Sequence, residues 1–202
     1  MSFSPLRHAG ALLVKRKPLH LTFFVTKRCN ARCPFCFYIY REDGPGPGEL
    51  TLAEIEKIAD SLPNLLWLAF SGGEIFVRKD FVEIVKLYYR KNKPVVMLFP
   101  TNGIMTDRIT AALREICRSC PDSRIVAKIS LDGEEALHDE MRGVKGCYRN
   151  AMKTYESLAG LLDEFPNFDL GVNTVMCAKN QDQVAPFIDT VAAQMPRITT
   201  HT

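Results

Sequence analysis

Runs of five or six apolar residues alternate along this chain with segments whose apolar positions recur every three or four residues. The runs at 21–26, 65–70, 94–99, 125–129 and 170–175 predict five strands. A helix begins after Thr51, with Glu54 in capping-box spacing, and further helices are predicted over 81–90, 108–118, 151–163 and 182–194. Strand followed by helix, repeated, predicts parallel strands joined by right-handed crossovers, hence an α/β sheet covered by helices. Strands buried in this way read as continuous apolar runs, as these do. The chain reaches Thr202 where a sixth strand would begin, and its five units fall short of the eight of a closed barrel. The expectation is therefore an open or partial (βα) barrel, or a barrel whose C-terminal part is missing. Residues 1–20 read as an N-terminal extension and 21–202 as the core.

Composition narrows the class without naming a chemistry. With 47% hydrophobic and 24% charged residues among 202, the chain suits one folded domain and excludes disordered, collagen-like and disulfide-scaffold proteins. A net charge of +3 is too small to imply nucleic acid or an anionic membrane as partner. The early apolar run at 10–14 is cut off by Lys15, Arg16 and Lys17, so neither a signal-peptide core nor a membrane span can be drawn, and a soluble cytoplasmic protein is expected. Seven cysteines, an odd number, argue against a secreted disulfide framework and for reduced thiols.

Most of the unusual polar residues follow a predicted strand. Cys29-Asn-Ala-Arg-Cys33-Pro-Phe-Cys36 comes after the first, Ser71-Gly-Gly-Glu74 after the second and Thr101-Asn-Gly103 after the third. Ser130-Leu-Asp-Gly133 comes after the fourth, and Asn173 stands at the end of the fifth. Turn chemistry alone accounts for any one of these loops. Together they face a single cavity, because the carboxyl ends of parallel strands share one rim. Cysteine thiolates suit zinc or iron–sulfur clusters, and a structural zinc takes four protein ligands. This loop supplies three, with no His nearby, which leaves one corner of a four-iron, four-sulfur cubane open. The competing readings are a zinc scaffold that recruits a distant Cys or His, and a cluster-binding fragment without catalysis.

The CxxxCxxC spacing after a first strand, with aromatic Phe35 before the third cysteine, resembles the radical SAM superfamily. The resemblance implies that Cys29, Cys33 and Cys36 hold a 4Fe–4S cluster whose fourth iron is chelated by S-adenosylmethionine. It further implies reductive cleavage to methionine and a 5′-deoxyadenosyl radical that takes hydrogen from a substrate, with a flavodoxin- or ferredoxin-like electron donor. Gly72-Gly73-Glu74 matches the superfamily's GGE motif, glycine backbone and carboxylate serving the cofactor ammonium, although Ile75 stands where proline is usual. Ser130, Asp132 and Asn173 suit the ribose hydroxyls and the methionine carboxylate, which Arg142 can pair bidentately. Asp132 has a second reading, as a cap on the turn before Gly133.

The stretch from Ser130 to Tyr148 is similar to peptide- and protein-modifying members that carry a SPASM-type C-terminal extension, and the likeness spans about 21–175. A peptide, a protein side chain or a small metabolite is the implied substrate. GTP fits poorly, because Thr22, Ala69 and Gly171 stand where a GTP-rearranging member has basic residues. His138 reads as a loop residue and not a base, since radical hydrogen abstraction needs none. Cys117 and Cys120 read as small hydrophobes, and Cys147 and Cys177 carry no role. Gly44-Pro-Gly-Pro-Gly48 reads as a hinge, since proline has no N–H for a phosphate.

Overall fold

The computed structural model describes residues 3–13, 17–38 and 48–202. After a short helix α1 (Ala9–Leu13), the elements are β1 (His20–Thr26), α2 (Leu52–Ser61), β2 (Trp67–Gly72), α3 (Phe81–Asn92), β3 (Val96–Thr101) and α4 (Thr106–Ser119). They continue as β4 (Arg124–Ser130), α5 (Glu135–Arg142), α6 (Cys147–Ala159), α7 (Leu161–Glu164), β5 (Phe168–Asn173), α8 (Val184–Gln194) and β6 (Thr200–His201). The expected capping box is formed at α2, where Glu54 N–H donates to Thr51 and Thr51 N–H to the Glu54 carboxylate.

All six strands are parallel and lie side by side in chain order. With right-handed crossovers, each unit of such a sheet adds on the same side and puts its helix on the same face. That is a partial barrel, with helices outside and a concave strand face inside. Met97 and Phe99 of β3, Ile125, Ala127 and Ile129 of β4, and Leu170 and Val172 of β5 join one hydrophobic cluster with Ile84 and Tyr88 of α3, Leu113 of α4 and Leu158 of α6. Their alternates, such as Pro100, Ser130 and Asn173, are only half-buried. The strands thus bury one face fully and present the other to the concavity, where the sequence runs read as buried throughout. A sixth strand does form, two residues long, pairing Thr200 with Gly171 and His201 with Val172.

Strand ends explain where the polar loops begin. Strands β2 and β3 start two residues later than the apolar runs, because Leu65 is a connector whose N–H bonds Asn92 C=O and whose C=O bonds Val95 N–H. Both strands then extend into the motif residues, so Ser71, Gly72 and Thr101 are the last rungs of the ladder. Strand β5 stops at Asn173, and the N–H of Val175 is taken by the Asp132 carboxylate at 2.9 Å. Part of the predicted N-terminal extension is ordered across the opposite end of the barrel, where Phe3 N–H bonds Asp122 C=O at 2.8 Å.

The loop after β3 is seated on α6. Gly103 has φ +76°, its C=O accepts the Thr154 hydroxyl at 2.7 Å, and a Cβ there would lie 2.8 Å from the Ala151 Cα. G103A combines a left-handed backbone with an overpacked contact and is expected to lower stability by about 2–4 kcal/mol, measured by urea denaturation.

Candidate functional site

One cavity of about 170 Å³ opens at the carboxyl ends of the strands. It is lined by Cys29, Cys33 and Cys36, by Gly72, Gly73 and Glu74, and by Ser130 and Arg142, joined by Ser71, Thr101 and Asn102. Four of the five predicted loops therefore meet. The fifth ends beside them: Asn173 pairs with Ser130 across β4 and β5, but its Oδ1 accepts the Thr202 hydroxyl at 2.6 Å. Phe35 lies against the Arg142 guanidinium, 5.6 Å from its ring centroid, and Asp132 is buried behind that same arginine.

The cysteine loop has few bonds of its own, among them Cys36 N–H to Cys33 C=O at 3.0 Å and Ala31 N–H to Cys29 Sγ at 3.4 Å. It is held from both sides instead. From β2, Gly73 N–H donates to Thr26 C=O at 2.8 Å and Glu74 N–H to Arg28 C=O at 3.0 Å. From the end of α5, Arg142 C=O accepts Arg32 N–H at 2.8 Å, and Gly143, with φ +63°, lies so close that a Cβ would fall 2.5 Å from Arg32 O. Burial pushes the Cys29 and Cys33 thiols up from the ordinary range, and at Cys33 the Arg142 charge opposes the shift.

The glycine pair lines the cavity and also packs against the chain itself. A Cβ on Gly72 would lie 2.3 Å from Thr26 O, and one on Gly73 would lie 2.2 Å from Arg28 O. The missing side chains let the β2 turn press against the start of the cysteine loop. Glu74, 2% exposed, accepts the Thr101 hydroxyl at 3.0 Å, Asn102 N–H at 2.8 Å and Phe76 N–H at 3.3 Å. Burial raises its pKa to about 7 against the pull of those donors. Ile75 is fully buried at the start of a 3-10 turn, Ile75–Val77, whose entry Glu74 caps, so the turn is closed without proline.

Asp132 is not a turn cap for Gly133. Its carboxylate ion-pairs with Arg142 at 2.6 Å and accepts Val175 N–H, while its own N–H donates to His138 Nδ1 at 3.1 Å. His138 is fully buried within α5, not in a loop, and burial, reinforced by Arg142, lowers its pKa to about 3. It stays neutral, with its proton on Nε2, edge-on to the Tyr148 ring at 5.9 Å.

Cys117 and Cys120 sit in the core with thiols pushed up to about 12, as inert residues should. Cys147 is buried behind the site, its thiol turned to Asn102 C=O at 3.9 Å. Of the predicted hinge, residues 44–47 lie outside the described residues. Sequence reasoning noted the Thr101-Asn-Gly103 loop but gave it no function; both Thr101 and Asn102 hold Glu74, and Asn102 also reaches Cys29 Sγ at 3.9 Å. Among the described residues no three His, Cys, Asp or Glu side chains meet at one point, as a single bound ion requires. Three soft sulfur donors spread around a cavity, with the nearby carboxylate of Glu74 engaged by three donors, fit a multinuclear cluster with one vertex free.

Residues 23–176 match the family model described as the Radical SAM superfamily. The chain is similar to the antilisterial bacteriocin subtilosin biosynthesis protein AlbA of Bacillus subtilis, 34% identical over 146 residues, covering 70% of this chain and 31% of AlbA. It is also similar to Fe-coproporphyrin III synthase of Methanosarcina barkeri, 31% identical over 153 residues, covering 69% of this chain and 36% of the synthase. Among solved structures, Streptococcus suis SuiB bound to S-adenosylmethionine aligns with a TM-score of 0.66 at 18% identity, over 97% of this chain and 43% of SuiB. That last likeness is one of fold. The chain spans about a third of the length of the two relatives.

The buried Glu74 proton gives the site a pH signature. A folded pKa near 7 against an ordinary 4.5 means that the folded chain keeps a proton the unfolded chain releases between those values. Its contribution to stability is therefore present below about pH 4.5 and lost as pH rises to 7, by up to about 3 kcal/mol. His138, held neutral, pulls the other way below its ordinary pKa. The quantity to measure is thus the difference between the chain and E74Q in urea denaturation from pH 5 to 7.5. It is expected to move in favour of E74Q as pH rises.

Proposed function

The chain belongs to the radical SAM superfamily, and we propose that it is the core of an enzyme that uses a 4Fe–4S cluster and S-adenosylmethionine to remove hydrogen from a peptide or protein substrate. When bound, cluster and cofactor supply the chemistry: one-electron reductive cleavage to methionine and a 5′-deoxyadenosyl radical. The observation that carries this reading is the single cavity in which three cysteines, the glycine-glutamate turn and Ser130 come together at the carboxyl ends of the strands.

The chain's own residues divide the remaining work. Cys29, Cys33 and Cys36 would hold three corners of the cluster. Gly72 and Gly73 bring backbone to the cavity wall, and Glu74 ties that wall to the β3 loop through Thr101 and Asn102. Ser130 and Asn173, paired on adjacent strands, offer a hydroxyl and an amide suited to a ribose or a carboxylate. Arg142 stands at the wall as the cation for a cofactor carboxylate, steadied by Asp132 and by the Phe35 ring. An external reductant of flavodoxin or ferredoxin type would deliver the electron. Among the described residues no helix is long and apolar enough to cross a membrane.

A peptide or protein substrate is favoured by the similarity to a bacteriocin biosynthesis protein and to SuiB, which has also been solved with its precursor peptide SuiA. The match to Fe-coproporphyrin III synthase supports a second reading, a small metabolite. Anaerobic reconstitution is expected to give brown protein with iron and sulfide in equal amounts, forming 5′-deoxyadenosine under dithionite. C33A is expected to lose cluster and turnover together, by at least about a hundredfold, since removing one of three ligands leaves the cluster unanchored. C177S is expected to change neither. Stoichiometric zinc without charge-transfer absorption in the wild-type chain would contradict the proposal.

A further inference from the structure

The three cysteines are not the whole of the proposed cluster site. Two side chains from other elements donate toward their sulfurs, Asn102 Nδ2 to Cys29 Sγ and Arg142 Nη1 to Cys33 Sγ, each at 3.9 Å. Both are fixed before any cofactor arrives. Asn102 is 6% exposed; its Nδ2 also bonds Asn30 Oδ1 at 2.7 Å, and its Oδ1 accepts Ile104 N–H at 3.0 Å. Arg142 is 8% exposed, ion-paired with Asp132 at 2.6 Å and laid against Phe35.

The charges around the sulfurs are therefore unequal. Arg142 is the one cation among the described residues that line the cavity, and it stands beside Cys33. The Asp132 carboxylate sits behind the guanidinium and offsets part of its charge. Glu74 lines the cavity on the Cys29 side, its N–H bonded to Arg28 C=O and its oxygens engaged by Thr101, Asn102 and Phe76. Reducing an iron–sulfur cluster adds one negative charge to a partly desolvated site. A nearby cation and N–H dipoles aimed at the ligand sulfurs stabilise the reduced form more than the oxidised form.

We infer that Arg142 and Asn102 set the reduction potential of the cluster through their contacts with Cys33 and Cys29, and that Asp132 trims the potential through Arg142. The inference rests on the cluster reading above. It gives Arg142 a duty present without S-adenosylmethionine, in addition to any pairing with the cofactor carboxylate. In these terms Arg142 and Asn102 are positioning residues for charge: they act on the electron transfer and not on the reacting bond.

The test is an electron paramagnetic resonance redox titration of the anaerobically reconstituted chain without S-adenosylmethionine, with iron and sulfide content measured on every sample. R142M is expected to make the cluster harder to reduce by roughly tenfold in the reduction equilibrium, about 59 mV to more negative potential for one electron. N102A is expected to shift the same way by less, and R142K to fall between wild type and R142M. D132N is expected to shift the other way, because it leaves the Arg142 charge uncompensated. K179A, which removes an exposed cation paired with Glu140, is expected to leave the potential unchanged.

A purely structural role for the Asp132–Arg142 pair would move R142M and D132N together, through lost cluster or a loosened loop. Opposite signs at full cluster content support the inference, while equal signs or no shift overturn it. If R142M fails to take up a cluster, R142K against D132N provides the same sign test. Failure of the wild-type chain to assemble any cluster would instead overturn the reading on which the inference stands, and the iron analysis tells the two apart.

Discussion

Close contact between the turn after β2 and the first residues of the cysteine loop is the constraint on which the site depends. Three thiols on a loop with few bonds of its own have no fixed geometry, and a cluster needs one. The geometry comes from outside, through backbone N–H groups of Gly73 and Glu74 donating to Thr26 and Arg28, and through the end of α5 gripping Arg32. The first contact is possible only because Gly72 and Gly73 lack Cβ atoms where the Thr26 and Arg28 carbonyls lie. The second needs Gly143 for the same reason. Glu74 then carries the constraint sideways into the β3 loop, so that the loops after β1, β2 and β3 are tied together beyond the last β2–β3 rung, Ala69 with Leu98.

This arrangement joins fold and chemistry in one set of bonds. The helices cover a single face of a six-stranded parallel sheet, and that apolar layer fixes the strands. The strands in turn bring loops far apart in sequence to one rim, where polar groups pair with one another: the Glu74 carboxylate with three donors, Asp132 with Arg142 and Val175, and His138 Nδ1 with the Asp132 N–H, while His138 Nε2 and Arg142 Nε have no hydrogen-bond partner among the described residues. Each buried polar group left unpaired here would cost about 1–3 kcal/mol, a large fraction of a domain's net stability. The rim is therefore built before a cofactor binds, which is what a site that positions a reactive species requires.

Much of this was legible in the sequence because two signals are local. Apolar periodicity placed every strand but the short sixth, and the spacing of Cys29, Cys33 and Cys36 stood out against a background of scattered cysteines. Strand ends were misjudged by two residues at β2, β3 and β5, since apolar residues such as Leu65 and Val175 serve connectors as well as strands. The concave face was misread as buried, because periodicity does not say whether a sheet closes. Partnerships were out of reach. That Asp132 holds Arg142, or that Asn102 reaches Cys29, depends on which loops a fold brings together, and no spacing along one chain encodes it. The glycines of the GGE turn illustrate the same limit: the motif indicates a close approach of backbone, but not that the chain's own Thr26 and Arg28 carbonyls lie against it.

The central claim is that the polypeptide gives the cluster three sulfur ligands and leaves one iron to the cofactor. Electron–nuclear double resonance on the reduced, reconstituted chain, with S-adenosylmethionine isotopically labelled in its amino nitrogen, addresses that vertex directly. A hyperfine coupling from the labelled nitrogen is the expected result. A cluster of full iron content that shows no such coupling at saturating cofactor would contradict the claim, because the fourth iron would then be bound by something else.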